Sequence, residues 1–518
     1  MSTSMSMNRR AFLLTTSGAL TVPMMTFGSN VAFAARDELV VRVETDIGNL
    51  DPANRVGSTE DNILISVCQN LARFKPGTLE WEPDAATTIK QVSETEIEFE
   101  LNPGQMFHGG YGEMTAEDVK FSFERFNAPG DAGKKAAYAD DWGALDKVEV
   151  TGKYTGKLLF KHPAPAIWVI GIPDGSGAIL SKKAVVELGD KIATTLIGTG
   201  PYVLKEWKPN DHFTLEKNPD YKGTDKVYFQ RIVAKPIAEL KTAMLGFQAK
   251  EIAFTEIDPT AVGDIEKDAD SAVIKMEAID YEWIGINVEK PPFDDLKVRQ
   301  AIRYGIDVDA IIAGAFSGTV KRAKTLLAPG LLGHWADAPV YPHDPEKAKA
   351  LLAEAGKTSF ECTLTCQNDS QAQAIAQIAQ ANLAEIGITV KINALDGAAY
   401  WGMGEDDKSK DLELTIIPYS SKFDPSFQTQ WFLSDQVGVW NWQRWKSPEF
   451  DKLHQEANSI ADPKARAEKY IRMQQLLDES ASCIWITHGV HDLAHAKWLS
   501  PSPLPNGINW QFRYFKEA

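Results

Sequence analysis

Apolar and polar residues along this chain follow two periods. In ITVKINAL (388–395), Ile388, Val390 and Ile392 fall on one face and Thr389, Lys391 and Asn393 on the other, as in a half-buried strand. The preceding DSQAQAIAQIAQANLAEIG carries apolar residues at helical spacing and stops at Gly387. In MTAEDVKFSFERF, Thr115 with Asp118 three residues on predicts a helix start, because each side chain satisfies an orphan backbone N–H. Asp344-Pro345 and Asp462-Pro463 pair an N-cap with a proline whose missing N–H the first turn does not need. Gly356 closes the first of these helices, and the second leads into the apolar strand CIWIT (483–487). TEIEFEL (95–101) and KLLFK (157–161) alternate as strands, which makes 81–197 the more β-rich part. Helix-then-strand units without an internal repeat predict α/β domains whose sheets are covered on both faces.

At 518 residues the chain exceeds one hydrophobic core, so two or three domains are expected. Residues 1–34 carry two charges, Arg9 and Arg10, then an apolar run ending at Ala32-Phe33-Ala34. That is the form of an export signal removed near Ala34, by either the twin-arginine or the general secretory route. Its removal takes the formal charge from −17 to −19, which argues against nucleic acid or an anionic membrane as partner. Cys362 and Cys366 lie four residues apart on an alternating strand, about 13 Å at ~3.3 Å per residue and beyond disulfide reach. With Cys68 and Cys483 they are expected as buried free thiols.

The usual catalytic signatures do not occur: no GxSxG around a serine, no phosphate loop, no HExxH. The expectation is a binder without catalytic residue, cofactor or resident metal. THGVHDLAH places His488, His491 and His495 where one helix face would gather them around a metal, whereas an extended chain would spread them over more than ~20 Å. The run LELTII (412–417) ends in PYSSKFDPSF (418–427), a polar loop that reads as a turn or as one wall of a pocket. Trp401, Trp431, Trp440, Trp442 and Trp445 cluster around it with Tyr400, Tyr419, Phe423, Phe427 and Phe432. Such density builds either a core or a surface that stacks on a ligand.

Several blocks resemble one family. WIGINVEKPPFDDLKVRQAIRYGID (283–307), IGTGPYVLKEW (197–207), MTAEDVKFSFERF (114–126), LNPGQMFHGG (101–110), LDPA (50–53), YPHDPEKAKALLAEAG (341–356) and Asp424-Pro425 are similar, in order, to segments of bacterial extracellular solute-binding proteins of family 5. The resemblance implies a two-lobed periplasmic-binding-protein type II clamp with an additional inserted domain. Lobe I would combine 36–80, 198–285 and 487–518, the insertion 81–197, and lobe II 286–486, with hinge strands near 284–288 and 484–488. It further implies a monomeric periplasmic receptor that closes on a peptide or peptide-like amino compound and delivers it to an ABC permease of the inner membrane. An opine, a sugar conjugate and a nickel chelate are the alternative cargoes. Gly198, Gly200, Asn287 and Arg299 are expected as scaffold. Peptide-binding members carry an amine-binding aspartate in the loop matching 418–427; here Ser420, Ser421 and Lys422 stand there, with no acid upstream of Asp424. The expected ligand-binding residues are Tyr419, Ser420, Ser421, Phe423, Asp424, Trp401, Trp440 and Trp442.

Overall fold

The computed structural model describes residues 36–518, apart from 56, 129–135, 405–406 and the side chain of Ala398. The expected export signal lies outside the described residues. Three sheets organise the chain. The first has seven strands, in the order Ser271–Glu277, Val490–Ala496, Phe254–Ile257, Glu38–Val43, Arg231–Pro236, His212–Lys217 and Tyr202–Lys208. The second has five: Ile388–Leu395, Phe360–Gln367, Leu414–Tyr419, Tyr281–Ile286 and Cys483–Thr487. A third, wholly antiparallel sheet holds Ala86–Ser93, Glu96–Leu101, Thr155–Phe160 and Leu145–Val150. Each rests on its own cluster of buried apolar side chains.

The helices form where the sequence caps them. Asp118 accepts the Thr115 N–H at 2.9 Å and Ala116–Glu124 follows. Asp344, Asp369 and Asp462 accept the N–H groups of Lys347, Ala372 and Ala465 to start Pro345–Glu354, Ser370–Glu385 and Pro463–Ser480. Ile388 and Val390 are buried and Thr389 and Lys391 exposed, as the alternation requires. All four cysteines are buried and free.

Phe360–Gln367 runs parallel to both Ile388–Leu395 and Leu414–Tyr419, while Tyr281–Ile286 is antiparallel to Leu414–Tyr419 and to Cys483–Thr487. Residues 281, 367, 395, 419 and 487 therefore share one edge of the five-stranded sheet. From that edge the chain crosses to the seven-stranded sheet twice, at 278–280 and at 488–489, where Gly489 has φ +77°. The expected hinge strand near 284–288 overlaps the end of Tyr281–Ile286, which is paired along its length, and the chain passes between the sheets just ahead of that strand, at 278–280. The seven-stranded sheet meets the crossings at the C-terminal edge of its parallel strands Glu38–Val43 and Arg231–Pro236. Loops leaving the two edges thus face each other.

The scaffold residues act by contact. Arg299 donates to the carbonyls of Ser480, Phe293 and Asp294, and Asn287 to that of Leu412. Gly198 and Gly200 do not adopt the positive φ of a glycine turn. They are required because the backbone at Val67 comes so close that a Cβ would lie 2.1 Å from its carbonyl oxygen at Gly198 and 2.6 Å from its carbonyl carbon at Gly200.

Candidate ligand-binding site

The strand Leu414–Tyr419 is apolar because neighbours cover both its faces, and its last residue delivers the loop 420–427 to the shared edge. Ser421 is pinned there: its N–H donates to the carboxylate of Asp280, in the first crossing, at 2.8 Å. Asp424 turns inward, accepting the Ser426 N–H to cap Pro425–Thr429 and taking two hydrogen bonds from Arg466 at 3.0 and 3.1 Å. Both side chains are at most 5% exposed. Asp424 is thus a buried partner of Arg466 and of the helix start, whereas the sequence expectation placed it against the ligand. Lys422, between them, reaches across the cleft. Its Nζ lies 2.9 Å from carboxylate oxygens of both Asp141 and Asp174, and 4.9 and 5.4 Å from the ring centres of Tyr138 and Phe427.

The opposite wall comes from the loop and helix after Glu38–Val43 and from residues 138–176. Arg55 stacks its guanidinium 3.6 Å over Tyr138, pairs with Asp61 and lies 3.5 Å from Asp174. Its Nη1 donates to the Pro52 carbonyl and the Ser176 hydroxyl, and that hydroxyl donates to Asp141 at 2.5 Å. Gly57, Ser58, Asp61, Tyr138, Val169 and Asp174 here, Ser420–Phe423 and Phe427 opposite, and Asn506, Ile508 and Asn509 line one cavity of about 90 Å³. Burial alone would strip the Lys422 proton, but the Asp141 and Asp174 charges outweigh it and raise the ammonium pKa. Burial likewise opposes ionisation of Asp174, yet Lys422 and Arg55 hold it below the usual carboxylate range. Asp61 is pushed up to about 6 by burial, against the Arg55 charge and with that of Asp174.

The tryptophans divide. Trp401 and Trp440 are each 36% exposed and line a second, wider cavity of about 710 Å³ with Gly402, Gly404, Lys408 and Val439. Rings continue from there to the first cavity: Trp440 lies 5.8 Å from Trp431, and Trp431 5.3 Å from Phe427. Trp442, also expected to face the ligand, is 1% exposed, donates its indole N–H to the Val439 carbonyl and packs in a buried apolar cluster. Tyr419 is mostly buried and donates its hydroxyl to the Trp440 carbonyl, so it braces the aromatic wall from behind. Ser420, Ser421 and Phe423 line the first cavity. Arg55, Asp61, Tyr138, Asp141 and Asp174 were not singled out from the sequence, where nothing local distinguishes them from surface residues.

The histidines do not converge. His491 and His495 lie along the strand Val490–Ala496, and His488 precedes it. His488 engages the Asp280 carbonyl, His491 the carboxylates of Glu256 and Asp280, and His495 the Ala496 carbonyl. Among the described residues no group of three or more His, Cys, Asp or Glu is arranged to hold a metal ion. No described helix is long and apolar enough to cross a membrane.

Known proteins share this architecture. The probable D,D-dipeptide-binding periplasmic protein DdpA of Escherichia coli is 28% identical over 484 residues, covering 90% of this chain and 92% of that protein. The glutathione-binding protein GsiB of Pectobacterium atrosepticum is 28% identical over 413 residues, 79% of each chain. The solved structure of the periplasmic binding protein DppA from Helicobacter pylori, in complex with the peptide STSA, superposes with a TM-score of 0.81 at 25% identity, covering 93% of this chain and 98% of that one. Residues 80–439 match the model of the bacterial extracellular solute-binding proteins, family 5 Middle. With its two-lobed α/β fold and its cleft between facing strand edges, the chain belongs to the bacterial extracellular solute-binding proteins of family 5.

Proposed function

We propose that this protein is an exported, non-enzymatic receptor that captures a peptide or peptide-like amino compound between its lobes and presents it to an ABC permease. One observation carries the reading: the loop Ser420–Phe423 and the residues Gly57, Ser58 and Asp61, from opposite sheets, line one cavity at the edge where both crossings leave. A ligand held there gains contacts from both lobes only when they are together, so binding favours closure, and closure is what a permease can sense. The binding names of DdpA, GsiB and the peptide complex of DppA support a peptide-like cargo. Ser420, Phe423, Trp401 and Trp440 are proposed to touch it.

Native mass spectrometry of the protein purified from periplasm, before and after acid release, is the first test. A released peptide or amino-compound mass is expected, together with a mature N-terminus near residue 35. A metal mass, or a sugar or opine mass, would overturn the cargo and leave the receptor standing. Trp440→Ala is expected to weaken affinity for the released compound about tenfold or more, as loss of a stacking anchor does at a binding site. Unchanged affinity would return Trp440 to the scaffold.

A further inference from the structure

Five charged side chains meet where the loop after Leu414–Tyr419 touches the opposite wall, and their signs do not balance: Arg55 and Lys422 face Asp61, Asp141 and Asp174. Lys422 is held as a protein holds a bound cation, with one carboxylate on each of two hydrogen bonds and the faces of Tyr138 and Phe427 nearby. Its side chain is 15% exposed, and those of Asp141 and Asp174 are 6% and 13%. A carboxylate brought into this cleft would meet three others, and Lys422 would have to leave two short ion pairs to receive it. A second cation meets the opposite situation. The cavity of about 90 Å³ beside Lys422 opens on Asp61 and Asp174. Asp61 touches Arg55 as an ion pair, yet its Oδ1 takes no well-aligned hydrogen bond and is shielded from solvent. Burial holds this carboxyl's pKa up, so a nearby positive charge would relieve it.

Resting on the receptor reading, we propose that the cleft selects peptide-like solutes carrying a basic side chain, whose ammonium or guanidinium, distinct from the α-amine that all peptides carry, sits between Asp61 and Asp174 in competition with the Lys422 ammonium. Lys422 is then the residue that sets selectivity. It holds the place of a basic head group and lowers affinity for such ligands to a level from which they can be released. The small cavity takes the head, and the ring-lined path from Phe427 through Trp431 to Trp440 takes the less polar remainder.

The test uses the mature protein and its Lys422→Met variant, with melting temperatures confirming that both are folded. Isothermal titration compares three dipeptides that differ in one side chain: Ala-Lys, Ala-Gln and Ala-Glu. Ala-Lys is expected to bind the wild type best, and Lys422→Met to tighten Ala-Lys about tenfold while moving Ala-Gln much less. The proposal is overturned if Ala-Glu binds best and the variant loses it, because Lys422 would then be an anion receptor. Equal affinity for all three in both proteins would overturn it too, leaving a peptide receptor without charge selection. If none of the three binds either folded protein, the peptide reading fails first and the proposal falls with it.

Discussion

Asp424 illustrates how a residue at the mouth of a strand can be read two ways. An exposed aspartate there would greet a ligand's amine; this one is buried against Arg466 with both oxygens engaged. Removing one partner of a buried ion pair strands the other charge, at about 3–5 kcal/mol. Asp424→Asn is accordingly expected to lower stability in urea by that order, with ligand affinity per folded molecule unchanged. An affinity loss without a stability loss would restore it to the site. His491 gives a prediction in pH. Burial would strip its proton, but hydrogen bonds to Asp280 and Glu256 and their charges outweigh that and raise its pKa to about 10. The unfolded chain returns it to about 6.5. A group whose pKa rises on folding stabilises fully below the unfolded value and loses that contribution as pH climbs to the folded one. The melting-temperature advantage of wild type over His491→Gln should therefore be constant below pH ~6.5, shrink from there to pH 10, and vanish above. A gap that widens with pH would contradict this.

Among the elements, what the sequence made legible was local. A cap and the N–H it accepts are two or three residues apart, so Thr115, Asp344 and Asp462 announced their helices, and a strand two residues in period announced itself at 388–395. The family blocks extended this legibility to the clamp. The charged cluster did not show in the same way, because Arg55, Asp61, Asp141, Asp174 and Lys422 come from segments up to 367 residues apart and meet only through the sheets. Lys422 was visible as an oddity in its loop, without its partners. Aromatic density could not separate Trp440 from Trp442, two positions along one turn-rich stretch, since which ring faces outward depends on how that stretch folds back. The glycines of GTGP were expected as scaffold, and the close approach of the Val67 backbone is the physical reason, which no local pattern could show. Gly198→Ala is thus expected to destabilise by roughly 1–3 kcal/mol, the usual range for forcing a group into packed space, read by thermal unfolding. A neutral effect would mean the segment can move away from Val67.

For the molecule as a whole, two crossings connect the lobes at their facing edges, and among the described residues Lys422 with Asp141 and Asp174, and Lys321 with Glu277, add ion pairs across them. X-ray scattering of Lys422→Met should show a larger radius of gyration than wild type in the absence of added solute, because the bridge to Asp141 and Asp174 is gone; identical profiles would mean the crossings and the remaining contacts, Lys321–Glu277 among them, set the spacing. The seven-stranded sheet has another consequence. Val490–Ala496 lies between Phe254–Ile257 and Ser271–Glu277, pairing with both. While the polypeptide is being made, those two strands wait more than two hundred residues for the one that joins them, each with an edge exposed to unwanted pairing. A ribosome that stops before residue 490 leaves this lobe unfinished however well the rest has formed, so quality control during synthesis faces an all-or-nothing product.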